Sequence, residues 1–340
     1  MTKKILYIGN DLRVDSFTAT YISFLSKMLR KEGFKVKTAS AKNNKLVRLT
    51  EMLWLIFKYH TNTDIVLIDT YGATNFYYAY LVGRLCQLYQ IPYVPILHGG
   101  NLPERLDKDP KLSKSLFKNA YVNVAPSNFL KNEFELRNFK GVKLIPNSIN
   151  LKDYPFKKRT VFQPKLLWVR RFQRRYNPKM ALKVLELLSI EYKEAELCMV
   201  GPEKDGSMQE CKRMAHKKKL KVKFTGKLKR KEWAALSSEY DFFVNSTTID
   251  NTPISVIESM SLGLPIISTN VGGMPILIEH EKDGILVNSE DDHRMFLEIK
   301  KIVENPEIGE QLAWNARNKA ESFGWEKVRK AWLEVINNVG

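Results

Sequence analysis

Along this chain, short runs of consecutive apolar residues alternate with longer stretches in which apolar residues recur every three or four positions. Buried-strand patterns fall at 5–9, 34–39, 64–69, 93–97, 121–125 and 143–145, and again at 165–169, 196–200, 224–228, 242–245 and 265–269. Helical patterns lie between them. In 17–32, Tyr21, Phe24, Leu25, Met28 and Leu29 share one face, and Gly33 ends the run. Further helices are expected at 75–89, 127–137 (with Ser127 as its cap), 178–189, 230–238, 291–305, 306–323 and 325–337. Strands separated by helices read as a parallel α/β sheet, and the pattern runs through twice. The polar stretch 153–164 is read as the linker between the two rounds.

One helix, 45–58, is ambiguous. Leu46, Leu49, Leu53, Trp54 and Phe57 lie on or near one side, with Lys45, Arg48 and Lys58 at the polar edges. The favoured reading packs that side on its own sheet; the alternative lays it on a membrane surface.

Length and composition narrow the picture further. A chain of 340 residues suits two domains. No apolar run reaches the ~18 residues of a membrane-spanning helix. Cys86, Cys198 and Cys211 are scattered without metal spacing, as in a reducing compartment. Met1 leads almost directly into a strand, so no signal peptide and a cytoplasmic location are expected. The net charge of +18, heavier in the first half, calls for an anionic partner. The basic run 212–223 lacks interleaved aromatic residues, which argues against nucleic acid.

The densest chemistry lies at 245–287. Asp250 and Glu258 are separated by seven residues, and Thr252-Pro253-Ile254 between them reads as a helix start with Pro in the first turn. Ser255, Glu258 and Ser259 share a face, so Glu258 is expected to emerge about one turn in. The free amides of Ile254 and Ser255 favour an anion. Gly263-Leu264-Pro265 ends this helix, a short strand follows, and Gly272-Gly273 is read as a flexible turn into a second helix carrying Glu279.

Two acids separated by seven residues, then Gly-x-Pro, then Gly-Gly, resemble the nucleotide-sugar signature of glycosyltransferase family 4, the retaining group 1 enzymes of GT-B fold. The resemblance implies an α/β protein with two Rossmann-like domains facing a central cleft. It divides the chain into an acceptor domain at 1–155, a nucleotide-sugar domain at 156–322, and a tail helix at 323–340 that crosses back. Pro146-Asn147-Ser148 resembles the family's Pro-Asn-Gly junction, with Ser148 in place of Gly. The family's first acid is usually Glu; here Asp250 would hold sugar hydroxyls and Glu258 the ribose hydroxyls. The donor loop would comprise Asn251, Thr252, Pro253, Ile254 and Ser255, with the last two amides on the distal phosphate. Arg170, after the strand at 165–169, matches an arginine that contacts the diphosphate, and Arg175 (or Arg174) stands in for a nearby lysine. Gly226 lies where family members place the base. His98, Gly99 and Gly100, at a strand's carboxyl end, would serve the acceptor side. The first loop, Val14 to Thr18, lacks the family's Gly-Gly pair.

The implied chemistry assigns His98, Asp250 and Arg170 to catalysis, with no metal and no cofactor. The leaving phosphate would help take the acceptor's proton. The expected partners are a nucleotide-sugar donor (UDP-sugar favoured), a glycan or lipid-linked acceptor of cell-surface polysaccharide, and an anionic membrane surface at the inner face. Glu258→Ala and Arg170→Ala are each expected to lower transfer while leaving the fold intact. A GT-B sugar-nucleotide epimerase, or a basic protein that binds membrane or nucleic acid without catalysis, are the competing readings.

Overall fold

The computed structural model describes residues 2–11 and 20–339, so the first loop at 14–18 lies outside the described residues. The chain forms two compact units, Met1–Asn147 with Trp325–Gly340, and Ser148–Gly324.

In the first unit, strands β1 (Lys4–Ile8), β2 (Lys35–Ala39), β3 (Ile65–Tyr71), β4 (Tyr93–His98), β5 (Val124–Ala125) and β6 (Lys143–Leu144) form one sheet in the order β2-β1-β3-β4-β5-β6. Every described pairing is parallel. Helices α1 (Tyr21–Lys31), α2 (Lys45–Tyr59), α3 (Asn75–Leu88), α4 (Leu102–Lys108), α5 (Pro110–Phe117) and α6 (Asn128–Leu136) connect the strands. Apart from Lys4 and Tyr71 at their ends, consecutive residues of β1, β3 and β4 are buried, as a sheet covered on both faces requires. Ser127 caps α6 by accepting from the Leu130 amide at 3.3 Å.

Helix α2 departs from its expected orientation. Its buried residues are Arg48, Met52 and Ile56, while Leu46, Val47, Trp54 and Phe57 are exposed. The inward turn follows from Arg48, whose guanidinium donates to the Lys42 and Asn43 carbonyls and to Asn10 Oδ1. Three acceptors compensate its burial and set the helix's rotation.

The second unit repeats the plan with strands β7 (Lys165–Val169), β8 (Glu196–Val200), β9 (Val222–Gly226), β10 (Phe242–Asn245), β11 (Ile266–Thr269) and β12 (Ile285–Val287). They are ordered β12-β11-β10-β7-β8-β9 and all parallel. Helices α7 (Pro178–Glu191), α8 (Ser207–Lys217), α9 (Arg230–Leu236), α10 (Ile254–Ser261), α11 (Met274–Leu277), α12 (Asp292–Glu304) and α13 (Pro306–Ala320) cover it. Helix α14 (Trp325–Asn337) belongs to the first unit. There Trp325 Nε1 donates to Glu32 at 3.0 Å and the Lys143 amine meets Glu334 at 2.8 Å.

The polar stretch 153–164 is not a free linker. Arg159, buried within it, donates to the carbonyls of Ser237, Tyr240, Leu262 and Gly263 and bolts the segment to the second unit. Burial pushes its guanidinium pKa down to about 10, against the pull of Asp241. A charged group on several backbone oxygens is what makes a polar sequence immobile.

Candidate active site

The second unit's site is built where β7 and β10 end. Arg170 follows Val169 directly, and its amide donates to the Val200 carbonyl at 3.0 Å, extending the sheet by one rung. Its guanidinium lies 4.8 Å over the Tyr176 ring and is paired through Nη2 with Asp250. Arg175 approaches the same ring at 5.9 Å, and its carbonyl accepts from the Thr248 amide at 2.9 Å and hydroxyl at 3.0 Å. These bonds tie the arginine turn to the loop that delivers Asp250. Arg174 instead faces Glu210 at 3.7 Å.

Gly272-Gly273 packs against this loop and is no flexible joint. A Cβ on Gly272 would collide with the Asp250 carbonyl and one on Gly273 with that of Asn251, while the Gly273 amide donates to Asp250 O at 3.0 Å. With φ of +54°, Gly272 also takes the left-handed conformation that glycine adopts without penalty. The glycines thus fix the backbone that carries the first acid. The segment beyond is α11, a single turn, and Glu279 lies past its end, paired with Lys282 at 2.9 Å.

Helix α10 begins at Ile254, with Pro253 as the extended residue before it rather than within its first turn. Asn251 and Thr252 are buried; Ile254 and Ser255 are half-buried. From Val256 to Ser261 every residue is buried, so Glu258 does not emerge into water. It is 1% exposed. Tyr154 donates its phenol to Glu258 Oε1 at 2.5 Å, and Arg230 Nε, at the start of α9, lies 3.1 Å from the same oxygen. Burial raises the Glu258 carboxyl above its ordinary range, with Arg230, the Tyr154 bond and Arg170 each acting in the opposite direction. Burial likewise raises the Tyr154 phenol, which stays a proton donor.

Two buried polar atoms in this cluster, Arg170 Nε and Ser255 Oγ, are enclosed and lack a protein partner, and the contacts of Glu258 run through Oε1 rather than Oε2. Buried polar groups are rarely left so. With the unused amides of the α10 start, they present donors for an anion beside an acceptor for a hydroxyl. Gly226 ends β9 on the same edge of the sheet, two strands from β7, and its carbonyl accepts from the Gly201 amide at 2.8 Å. Tyr154 and Arg230 were not singled out from sequence. Arg230, four residues past Gly226, carried a local signal; Tyr154 did not.

In the first unit, His98 ends β4, and Gly99 and Gly100 after it are half-exposed. His98 Nε2 lies 2.9 Å from Asp69 Oδ1, which also accepts from the Tyr7 phenol at 2.8 Å. Tyr71 stacks on the imidazole at 4.9 Å, and Tyr21 meets it edge-on at 5.7 Å. Asp69 was read only as a strand end; its signal was an acid closing one apolar strand beside another that closes on histidine. A groove of about 540 Å³ opens elsewhere in this unit, among Lys4, Arg30, Lys35, Lys37 and Tyr59 near the amino ends of β1 and β2. Among the described residues no cluster of His, Cys, Asp and Glu could hold a metal, and no helix is long and apolar enough to cross a membrane.

Solved structures share this architecture from end to end. Sucrose-phosphate synthase from Thermosynechococcus elongatus aligns with a TM-score of 0.81 at 18% identity, covering 99% of both chains. The Anabaena protein HepE, solved with UDP-glucose, aligns at 0.78 and 15% identity over 98% of this chain and 99% of its own. The two doubly wound sheets are therefore a GT-B fold. Residues 153–319 match the family model described as "Glycosyl transferases group 1". A GalNAc-alpha-(1->4)-GalNAc-alpha-(1->3)-diNAcBac-PP-undecaprenol alpha-1,4-N-acetyl-D-galactosaminyltransferase of Campylobacter jejuni is 24% identical over 59% of this chain and 55% of its own. The chain spans under half the length of the first curated relatives it matches.

Proposed function

We propose that the protein is a retaining glycosyltransferase that moves a sugar from a nucleoside-diphosphate sugar, UDP-sugar favoured, to a glycan or lipid-linked acceptor of cell-surface polysaccharide. One observation carries the reading: Arg170 Nε and Ser255 Oγ are buried and unpaired around the start of α10, beside an acid locked in place by two glycines. Arg170, Arg175 and the amides of Ile254 and Ser255 meet the diphosphate, whose charge grows as the sugar leaves. Glu258 Oε2 accepts from a ribose hydroxyl, and Asp250 from the sugar. Asn251, Thr252 and Pro253 shape the loop between them, and Gly226 borders the base. Uridine is favoured because the similarly folded HepE was solved with UDP-glucose.

In this reading the second unit takes the donor, and the first takes the acceptor through His98, Gly99 and Gly100. The leaving phosphate assists removal of the acceptor's proton, and no metal takes part. A lipid-linked acceptor agrees with the Campylobacter relative, whose name carries PP-undecaprenol. Exposed Leu46, Val47, Trp54 and Phe57 on α2, with Lys45 and Lys58, would rest the protein on the anionic inner face of the membrane from the cytoplasm.

Thermal-shift screening against UDP, GDP, ADP and their sugars tests the donor class. Stabilisation by UDP and a UDP-sugar is expected. No response to any nucleoside diphosphate removes the reading. A new sugar nucleotide formed without acceptor would instead indicate an epimerase.

A further inference from the structure

The first unit contains a polar network whose geometry decides which nitrogen of His98 faces outward. Asp69 is buried two residues before the carboxyl end of β3, and its carboxylate packs where a side chain on Gly9 would sit, the nearest oxygen being 2.5 Å from that Cβ position. Its Oδ1 receives the Tyr7 phenol at 2.8 Å and faces His98 Nε2 at 2.9 Å. A carboxylate can only accept, so Nε2 carries the proton. Burial, and then the charge of Asp69, hold the Tyr7 phenol well above its ordinary range, so Tyr7 stays a donor and supports the same oxygen. The flanking rings of Tyr71 and Tyr21 fix the imidazole plane. His98 Nδ1 has no described protein partner, yet it is not among the polar atoms sealed from solvent. Half-exposed Gly99 and Gly100 adjoin it.

We propose that Asp69 is a positioning residue that locks His98 in its Nε2–H tautomer, leaving the Nδ1 lone pair to accept a hydrogen bond from a hydroxyl of the acceptor substrate. A histidine serving only the core would have both nitrogens satisfied; here one is fixed by three aromatic or acidic neighbours and the other is left open. The ligand chemistry this selects is a neutral hydroxyl donor, not an anion, because an unprotonated nitrogen repels phosphate. The inference rests on the acceptor-side reading of His98.

Long-range 1H–15N correlation on histidine-labelled full-length protein, with His98 assigned by the missing signal of His98→Ala, reads the tautomer directly. At pH 8 the wild type is expected to show protonated Nε2 and bare Nδ1. Asp69→Asn, which removes the carboxylate at nearly constant shape, should give mixed tautomers and lower kcat on the order of 10- to 100-fold, with UDP affinity unchanged. A wild-type His98 carrying its proton on Nδ1 overturns the proposal, even if Asp69→Asn does not fold. So does a folded Asp69→Asn with the wild-type tautomer and kcat. Full transfer by His98→Ala would instead overturn the acceptor-side reading itself.

Discussion

The carboxyl ends of the two sheets use the same device toward different ends. In each, a buried carboxylate receives a tyrosine phenol: Tyr7 on Asp69 at 2.8 Å in the first unit, Tyr154 on Glu258 at 2.5 Å in the second. The second partner differs. Asp69 meets the imidazole of His98, whereas Glu258 meets the guanidinium of Arg230, with Arg170 and the α10 start close by. Fixed cations and unpaired helix amides suit a diphosphate; an imidazole with an open nitrogen suits a hydroxyl. The contrast supports the proposal that the two units take different ligands.

The strongest way to break the comparison is Glu258→Ala. Expecting an intact fold from this change overlooked the carboxylate's burial. Removing it leaves Arg230 and Tyr154 facing a buried void, so denaturant unfolding should show a loss of about 3–5 kcal/mol; a loss below about 1 kcal/mol would mean the cluster is not structural. Arg170→Ala should keep the fold and lower transfer about 10²–10³-fold, read as kcat with the authentic donor. Gly272→Ala forces a Cβ into the Asp250 carbonyl at positive φ and is expected to cost about 1–3 kcal/mol. It should weaken donor binding more than acceptor binding; equal effects on both would detach the glycine from Asp250.

The smallest effect is the dependence on pH. Burial raises the Glu258 carboxyl above its ordinary value of 4.5. Between that value and the raised one, the folded chain keeps a proton that the unfolded chain has lost. The contribution of Glu258 therefore falls as pH rises through this window. Stability of the wild type minus that of Glu258→Gln, measured from pH 4 upward, should decline; a flat or rising difference contradicts the assignment.

Much of this architecture was readable in advance because apolar period alone marks buried parallel strands. Most long strands and helices appeared near their expected places; α4, α5 and α8 had no expected range, and the two-residue strands β5 and β6 are too short for period to define fully. The order Asp250, Glu258, Gly272-Gly273 identified the loop, but not that the glycines clamp it, which depends on contact distances across the turn. Glu258 looked solvent-facing because helical period sees only its own helix. What covers it is Tyr154, 104 residues away in sequence. Arg159 and Arg48 were hidden for the same reason: charge reads as surface until distant carbonyls gather around it. Asp69 needed the register that sets β3 beside β4.

Isothermal titration calorimetry of UDP into the wild type and into Arg170→Ala bears most directly on the claim that the second unit grips a nucleoside diphosphate. One site per chain in the wild type, at least about tenfold weaker in the variant, is the predicted result. Equal affinity in both proteins, or heat from neither, would contradict it.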